Sequence, residues 1–368
     1  MPGRMHASSR TPTALLQLTA VLAAVVLAIA PLPPALIERW FSLRIFPHVQ
    51  RVLTPASNLL PIAWLDILTI AAAAWLAWRW RRALRSGLEP RWPRVGRALV
   101  ATTVAAAVTY LAFLALWGFN YRRVPMLARV EVARPAPATS AVAELGRQVV
   151  GRLNALHAPA HGGRWRDAAW RNDALTDAFA AVQQELTDAP PAVPGRLKRS
   201  IYGPFFRWTS VDGMVNPFGL EVLANPDLLP FERPFVAAHE WGHLAGFADE
   251  SEANFVGWLA CVRADVASQY SGWLYLYWQI AGELPREERE ALGRALSEGP
   301  REDLAAIAAR LRRGDLPALR RASWMVYDSY LKANRVEAGV RSYGAVVTLI
   351  LRARFEDGWR PVRRASVP

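Results

Sequence analysis

Three long apolar stretches near the N-terminus constrain what this chain can fold into more than any other feature. Ala14 to Ala30 carries no charge, and its apolar character continues through Pro31 to Ile37; Leu59 to Trp78 and Ala98 to Phe119 are comparable runs. An α-helix needs about 20 mostly apolar residues to cross a bilayer. The expectation is a mainly α membrane protein with three N-terminal transmembrane helices at about 14–36, 59–78 and 98–119. The first stretch has a rival reading as a signal peptide, because Arg4 and Arg10 precede it and Ala28, Ile29 and Ala30 make a small-x-small triplet. Pro31 directly after that triplet is a poor cleavage position, and further apolar runs follow, so an uncleaved anchor is favoured. Trp75, Trp78, Trp80 and Trp117 lie near the ends of the later runs, where interfacial aromatics collect.

Charge then orients the anchor. The 368 residues hold 44 basic and 31 acidic groups, a formal +13, with Lys198 and Lys332 as the only lysines. A balance this basic raises the question of nucleic acid. Residues 1–119 contain twelve basic and three acidic groups, a net +9, and the remaining chain is left with only +4. Between the second and third runs lie Arg79, Arg81, Arg82, Arg85, Arg91, Arg94 and Arg97 against Glu89 alone, so this loop is expected to stay in the cytoplasm. The N-terminus is then inside and the chain after about Asn120 is outside a cytoplasmic (inner) membrane. The excess charge is a topology signal, and nucleic-acid binding loses its support. Asp66 falls within the second run, where a carboxylate is either functional or held by a structural partner.

Residues 122–139 hold Pro125, Pro135 and Pro137 among small residues and read as an exposed linker. Residues 1–121 are thus the expected membrane anchor and 140–368 the expected extracytoplasmic domain. Helical periodicity marks 140–156, 174–187, 286–312, 318–334 and 339–356. Strand character is concentrated around Gly213 to Leu223, where Pro217 argues for an edge or bent strand. Trp273 to Ala281 is too short to span a membrane and reads as core. One cysteine, Cys261, excludes an intramolecular disulfide and a cysteine-based zinc site, and its apolar neighbours make it a buried, inert thiol.

The segment Pro234 to Leu244 reads PFVAAHEWGHL, opening with a proline suited to a first helical turn and followed by Gly246 as a helix stop. One helix here puts His239 and His243 on the same face, where both imidazoles can reach one tetrahedral Zn2+, with Glu240 beside the open position. Zinc lowers the pKa of water toward neutrality, and a carboxylate there can take the proton and pass it to a leaving amine. This is the HExxH arrangement of metallopeptidases. Between Asp212 and Glu252 there are eight acidic residues and only Arg233 to oppose them, a neighbourhood that favours a divalent cation.

Three residues compete to be the third metal ligand. Asp249 stands at the metzincin-like spacing after Gly246, and Glu250 opens an E-x-x-A-N sequence close to the gluzincin pattern. Glu252 is favoured by helix geometry, since Phe255, Val256 and Leu259 follow at i+3, i+4 and i+7 and place it on a buried face. A buried carboxylate needs a partner, and zinc would be one.

The run LPFERPFVAAHEWGHLAGFADESEANFVGWLA, preceded by Asn216-Pro217-Phe218-Gly219, resembles the DUF3810 family of membrane-anchored, gluzincin-like proteins. The resemblance extends to Trp117-Gly118-Phe119-Asn120-Tyr121-Arg122-Arg123, to Tyr330-Leu331-Lys332 and to Ser342-Tyr343. It implies a zincin-like α+β domain, mostly helical with a small edge-strand sheet, and a peptidase-like zinc site of His239, Glu240, His243 and either Glu250 or Glu252. It implies no substrate beyond a polypeptide. In zincins an edge strand upstream of the HExxH helix pairs with substrate, and Met214 to Leu223 corresponds. A tyrosine or histidine from the C-terminal part stabilises the oxyanion, for which Tyr343 is the candidate and Tyr330 the alternative.

His157 and His161 are also four apart, but Pro159, Gly162 and Gly163 argue against one helix carrying both, so a second metal site is not expected. The leading expectation is a membrane-anchored zinc metallopeptidase acting on polypeptide at the outer face of the membrane. The alternative is a non-catalytic zinc-binding sensor or interaction protein that does not depend on Glu240.

Overall fold

The computed structural model describes residues 11–85, 90–132, 139–163, 165, 172–334 and 345–364, and is mainly helical with a small sheet. The first apolar stretch is not one straight span. Helix α1 (Thr11–Ile29) is followed by Pro31 and Pro33, which supply no backbone N–H to continue it. Beyond them come α2 (Pro34–Ile37), a π-helical segment (Glu38–Ile45) and α3 (Phe46–Asn58), turned by 120° from α1. The turn has a cause in packing. Phe41 and Phe46 enter the main core, and Glu38 pairs with Arg123 at 2.6 Å and Arg129 at 3.3 Å.

Helix α4 (Trp64–Arg85) and α1 both pack against α5 (Arg91–Leu116). Among the described residues α5 is the one helix that alone is long and apolar enough to cross a membrane, and the bent pair would be a second span if it counts as one. By length and composition one or two spans are supported, and the expected three are not confirmed. In α4 the charge-free part runs only from Ile67 to Trp78, between Asp66 and the arginines Arg79, Arg81, Arg82 and Arg85. Asp66 lies in the first turn of α4, where it accepts hydrogen bonds from Ser200 Oγ at 2.5 Å and Ile201 N at 3.1 Å. It is a structural clasp between α4 and the globular part.

After α5 a 3-10 turn (Gly118–Arg122) leads to α6 (Met126–Arg129). Met126 and Val130, within the segment expected to be an exposed linker, are buried in the main core. The chain continues through α7 (Thr139–Gly162), α8 (Asp173–Leu186), strand β1 (Leu197–Lys198), α9 (Gly203–Thr209), β2 (Gly213–Asn216) and β3 (Glu221–Ala224). Then come α10 (Arg233–Leu244), α11 (Glu250–Val262), α12 (Val266–Glu283), α13 (Arg286–Ala295), α14 (Glu298–Gly314), α15 (Pro317–Ala333) and α16 (Ala345–Arg352), closed by the hairpin β4 (Phe355–Glu356) and β5 (Arg360–Pro361).

Helix α11 is the axis of the core. Every residue from Glu252 to Val262 is buried, with α8, α10, α12 and α16 packed around it. A helix apolar on all sides is stable only when fully enclosed. It crosses α10 so closely that a Cβ on Gly257 would stand 2.8 Å from the backbone nitrogen of His239. Only glycine permits that approach.

The run read as an edge or bent strand is a hairpin in the structure. Pro217, Phe218, Gly219 and Leu220 make its turn, so that β2 pairs antiparallel with β3 in the register Met214 to Leu223, and β1 pairs parallel on the other side. The order β1-β3-β2 leaves β2 at the sheet edge. At the far end of β3, Glu221 meets Lys198 at 2.9 Å, both side chains fully buried. The same carboxylate accepts from the backbone N–H groups of Trp64 at 3.0 Å and Leu65 at 2.8 Å, which docks the positive end of α4 on the sheet. Burial pushes Glu221 up, but the Lys198 ammonium and the backbone donors outweigh it and hold the carboxyl below its ordinary value.

Candidate metal centre

Helix α10 begins with Pro234 in its first turn and ends where Gly246 takes φ +84°, with Phe247 N–H returning to the Gly242 carbonyl at 3.0 Å. That closure lets His243 Nδ1 meet the Phe247 carbonyl at 2.8 Å. Nδ1 donates to that carbonyl and Nε2 is the ring nitrogen directed inward, the orientation of a metal-binding histidine. On the outer side, Trp117 donates its indole N–H to the His243 carbonyl at 3.0 Å, and Arg123 donates to the Gly246 carbonyl at 2.9 Å. The end of α5 thus holds the end of the HExxH helix in place.

Glu250 completes the set. Its Oε2 lies 3.4 Å from His239 Nε2 and 3.5 Å from His243 Nε2. Two ligands bound at ~2.0–2.1 Å in a tetrahedral arrangement are about 3.3–3.4 Å apart, so the spacing suits one zinc ion better than it suits a hydrogen bond. Consistent with this, Glu250 Oε2 is buried and has no hydrogen-bond partner among the described residues. His239, His243 and Glu250 place their donor atoms within 4.8 Å of one another and could hold a metal ion. Burial pushes the Glu250 carboxyl up, yet the two imidazoles dominate and hold it well below the carboxylate range. His243 responds in kind: burial lowers it, but the facing Glu250 carboxylate pushes it up to about 9.

Glu240 points to the same space from the other side of His239, 4.0 Å from its Nε2. It is buried, and its Oε2 has no partner among the described residues. Burial raises its pKa above the ordinary value, as expected for a carboxylate kept from water. Strand β2 passes directly beside it, so that a Cβ on Gly213 would lie 2.4 Å from Glu240 Oε1.

The other candidates are placed elsewhere. Glu252 is buried, as its helical position predicts, but its Oε1 accepts from Met126 N–H at 2.6 Å and its charge is answered by Arg129. Asp249 caps α11, accepting from Ser251 N at 2.8 Å and Glu252 N at 3.3 Å, which occupies it as an N-cap. Tyr343 lies outside the described residues. Tyr330 stacks on Tyr327 and meets Tyr121 edge-on, its hydroxyl pushed up to about 12 chiefly by burial. Cys261 is buried, and burial drives its thiol well above the ordinary value, so it is inert.

Two site residues were not singled out from the sequence. Tyr327 on α15 donates its hydroxyl to Glu250 Oε1 at 2.5 Å, opposite the oxygen that faces the histidines. Tyr275 on α12 stacks on Phe235 with ring centroids 3.6 Å apart, and its buried hydroxyl has no partner among the described residues while feeling the Glu250 charge. The i, i+3 spacing of Tyr327 and Tyr330 on a helix was the available signal for the first. Nothing in the local pattern marked the second.

A family model described as "Protein of unknown function (DUF3810)" matches residues 41–351. The chain belongs to the DUF3810 family. The match spans α3 and the end of the π-helical segment before it, helices α4 and α5, the HEWGH helix and α15, so the DUF3810 unit contains both the membrane-type helix and the whole His-Glu cluster. No curated protein and no solved structure matches the chain.

Proposed function

We propose that this DUF3810 protein is a zinc-dependent metallopeptidase, anchored in the cytoplasmic membrane with its globular part on the outer face. The observation that carries the reading is the convergence of His239, His243 and Glu250 on one point with the otherwise unpartnered Glu240 carboxylate beside it. His239, His243 and Glu250 would hold the ion. Bound zinc would supply Lewis acidity, lowering the pKa of water toward ~7 and polarising a carbonyl oxygen.

The chain's own residues supply the rest. Glu240 takes the proton of the attacking water and returns it to the leaving amine, a role suited to a buried carboxylate whose pKa is raised. Tyr327 holds Glu250 in position through its second oxygen. Strand β2, at the edge of the sheet and passing against Glu240, accepts an extended polypeptide by strand addition. Tyr330 or Tyr343 is available as an oxyanion donor.

The orientation is supported by where the helices attach. The first turn of α4 is bound to the globular part through Asp66 and Glu221, and the end of α5 through Trp117, while the arginines gather at the opposite ends of both helices. Positive loops remain cytoplasmic. A reporter active only outside the cytoplasm should be active when fused after Pro368 and inactive when inserted at Gly87; the reverse pattern overturns the orientation.

Activity is tested with Glu240→Gln in the purified full chain. The variant should retain its zinc and cleave a peptide library at least ~100-fold more slowly than the parent. Equal cleavage by parent and variant refutes the mechanism, and absence of cleavage by either, with zinc bound, favours the non-catalytic sensor.

A further inference from the structure

The histidine pair His157 and His161 is not separated by a helix break. Helix α7 runs through Pro159 to Gly162, so both imidazoles project from one face of the same helix. Proline in a helix costs one hydrogen bond and some steric strain. The burial of Leu153 and Ala160 against the core offsets that cost here.

Both rings turn to the same acceptor on another helix. His161 Nε2 lies 2.9 Å, and His157 Nε2 3.5 Å, from Oδ2 of Asp303 on α14. Asp303 is buried, and the Tyr270 hydroxyl of α12 donates to that same Oδ2 at 2.5 Å. The imidazoles stack with centroids 4.3 Å apart, and Trp165 and Phe231 close over His161. Tyr270 and His161 lie within hydrogen-bond distance of Oδ2, whereas His157 Nε2, at 3.5 Å, is too far for a good hydrogen bond and is joined to the carboxylate better by a shared cation. The convergence is that of a ligand set: the three donor atoms lie within 4.8 Å of one another.

We propose that His157, His161 and Asp303 form a second divalent-cation site, separate from the HExxH cluster, that takes zinc. Two imidazole nitrogens and one carboxylate oxygen are a donor set of borderline softness suited to Zn2+ and poorly suited to Ca2+ or Mg2+. Tyr270 orients the carboxylate, as supporting residues do for metal-binding side chains. The histidine side chains remain 25% and 32% exposed, so water completes the coordination and the ion can enter from the surface. The ion would tie α7 to α14 beneath α12, a structural clamp independent of the proposed peptidase chemistry.

Zinc counting on the full chain in detergent, stripped with a chelator and reloaded with Zn2+, tests this. A protein carrying both His239→Ala and His243→Ala, in which the second cluster is untouched, should still bind one zinc per chain and melt at higher temperature with zinc than without. No bound zinc in that protein overturns the proposal. In the converse experiment, His161→Ala and Asp303→Asn should each bind one zinc fewer than the parent. A count equal to the parent's in both variants also overturns it. A parent that binds a single zinc, lost with His161→Ala and kept with His239→Ala and His243→Ala together, would uphold this site while refuting the HExxH zinc.

Discussion

The indole N–H of Trp117 is hydrogen-bonded to the carbonyl of His243 at 3.0 Å, both groups buried. One residue closes the most membrane-like helix of the chain, and the other belongs to the His-Glu cluster. The candidate metal centre is therefore built directly on the end of α5. Trp117→Phe removes one of the two donors to that carbonyl, the other being the Gly246 N–H at 3.0 Å, a loss of about 0.5–1.5 kcal/mol. Thermal denaturation of the purified full chain should show that destabilisation with zinc content unchanged. An unaltered melting temperature would remove Trp117 from this role.

Tyr327 should act on the cluster through Glu250. Tyr327→Phe leaves all proposed ligands intact, and removal of such a supporting hydrogen bond typically lowers metal affinity or activity by about 10–100-fold. Competition against a chelator of known affinity measures the effect. Tyr330→Phe, whose ring is stacked beside it without a bond to Glu250, should leave zinc affinity within about twofold, well short of the loss expected for Tyr327→Phe.

The crossing of α10 and α11 tolerates no side chain at Gly257. Gly257→Ala forces a methyl group against the His239 backbone, an overpacking that costs about 1–3 kcal/mol. Because the strain falls at a proposed ligand, zinc affinity should fall together with the unfolding midpoint. A variant as stable as the parent would show that the helices can separate freely.

Acid should weaken the attachment of α4. Glu221 has a folded-state pKa below its ordinary value of 4.5, so its ionised form stabilises the fold fully above that value and progressively loses the contribution as pH falls through the lower, folded-state one. Glu221→Gln leaves the Lys198 charge buried without its partner, at a cost of about 3–5 kcal/mol at neutral pH. Below pH 4.5 the stability gap between parent and variant should narrow; a gap that is constant with pH would contradict the assignment.

Much of this was legible in the sequence because local patterns carried it. HEWGH on a helix with Pro234 at one end and Gly246 at the other reads directly from 3.6-residue periodicity and end signals. What periodicity cannot report is the partner of a buried group. Glu250 and Glu252 are both buried at the start of α11, and the choice between them is made by Met126, far away in sequence, whose N–H takes Glu252. Asp249 was recoverable as an N-cap from its place before the helix. The apolar runs were legible as well, but Phe41, Phe46 and Glu38 drew the end of the first into the core, and that tertiary preference overrode length. Pro159 misled in the opposite direction, since tertiary burial carried α7 through it.

The central claim is that Glu250, and not Glu252, completes the zinc ligands with His239 and His243. It is tested most directly by zinc affinity in Glu250→Gln and Glu252→Gln, both made on a His161→Ala background so that only one cluster is counted. The account predicts that Glu250→Gln weakens zinc by more than the ~10–100-fold typical of a supporting residue, while Glu252→Gln binds zinc like its parent and loses stability instead. Zinc lost with Glu252→Gln and retained with Glu250→Gln would contradict it.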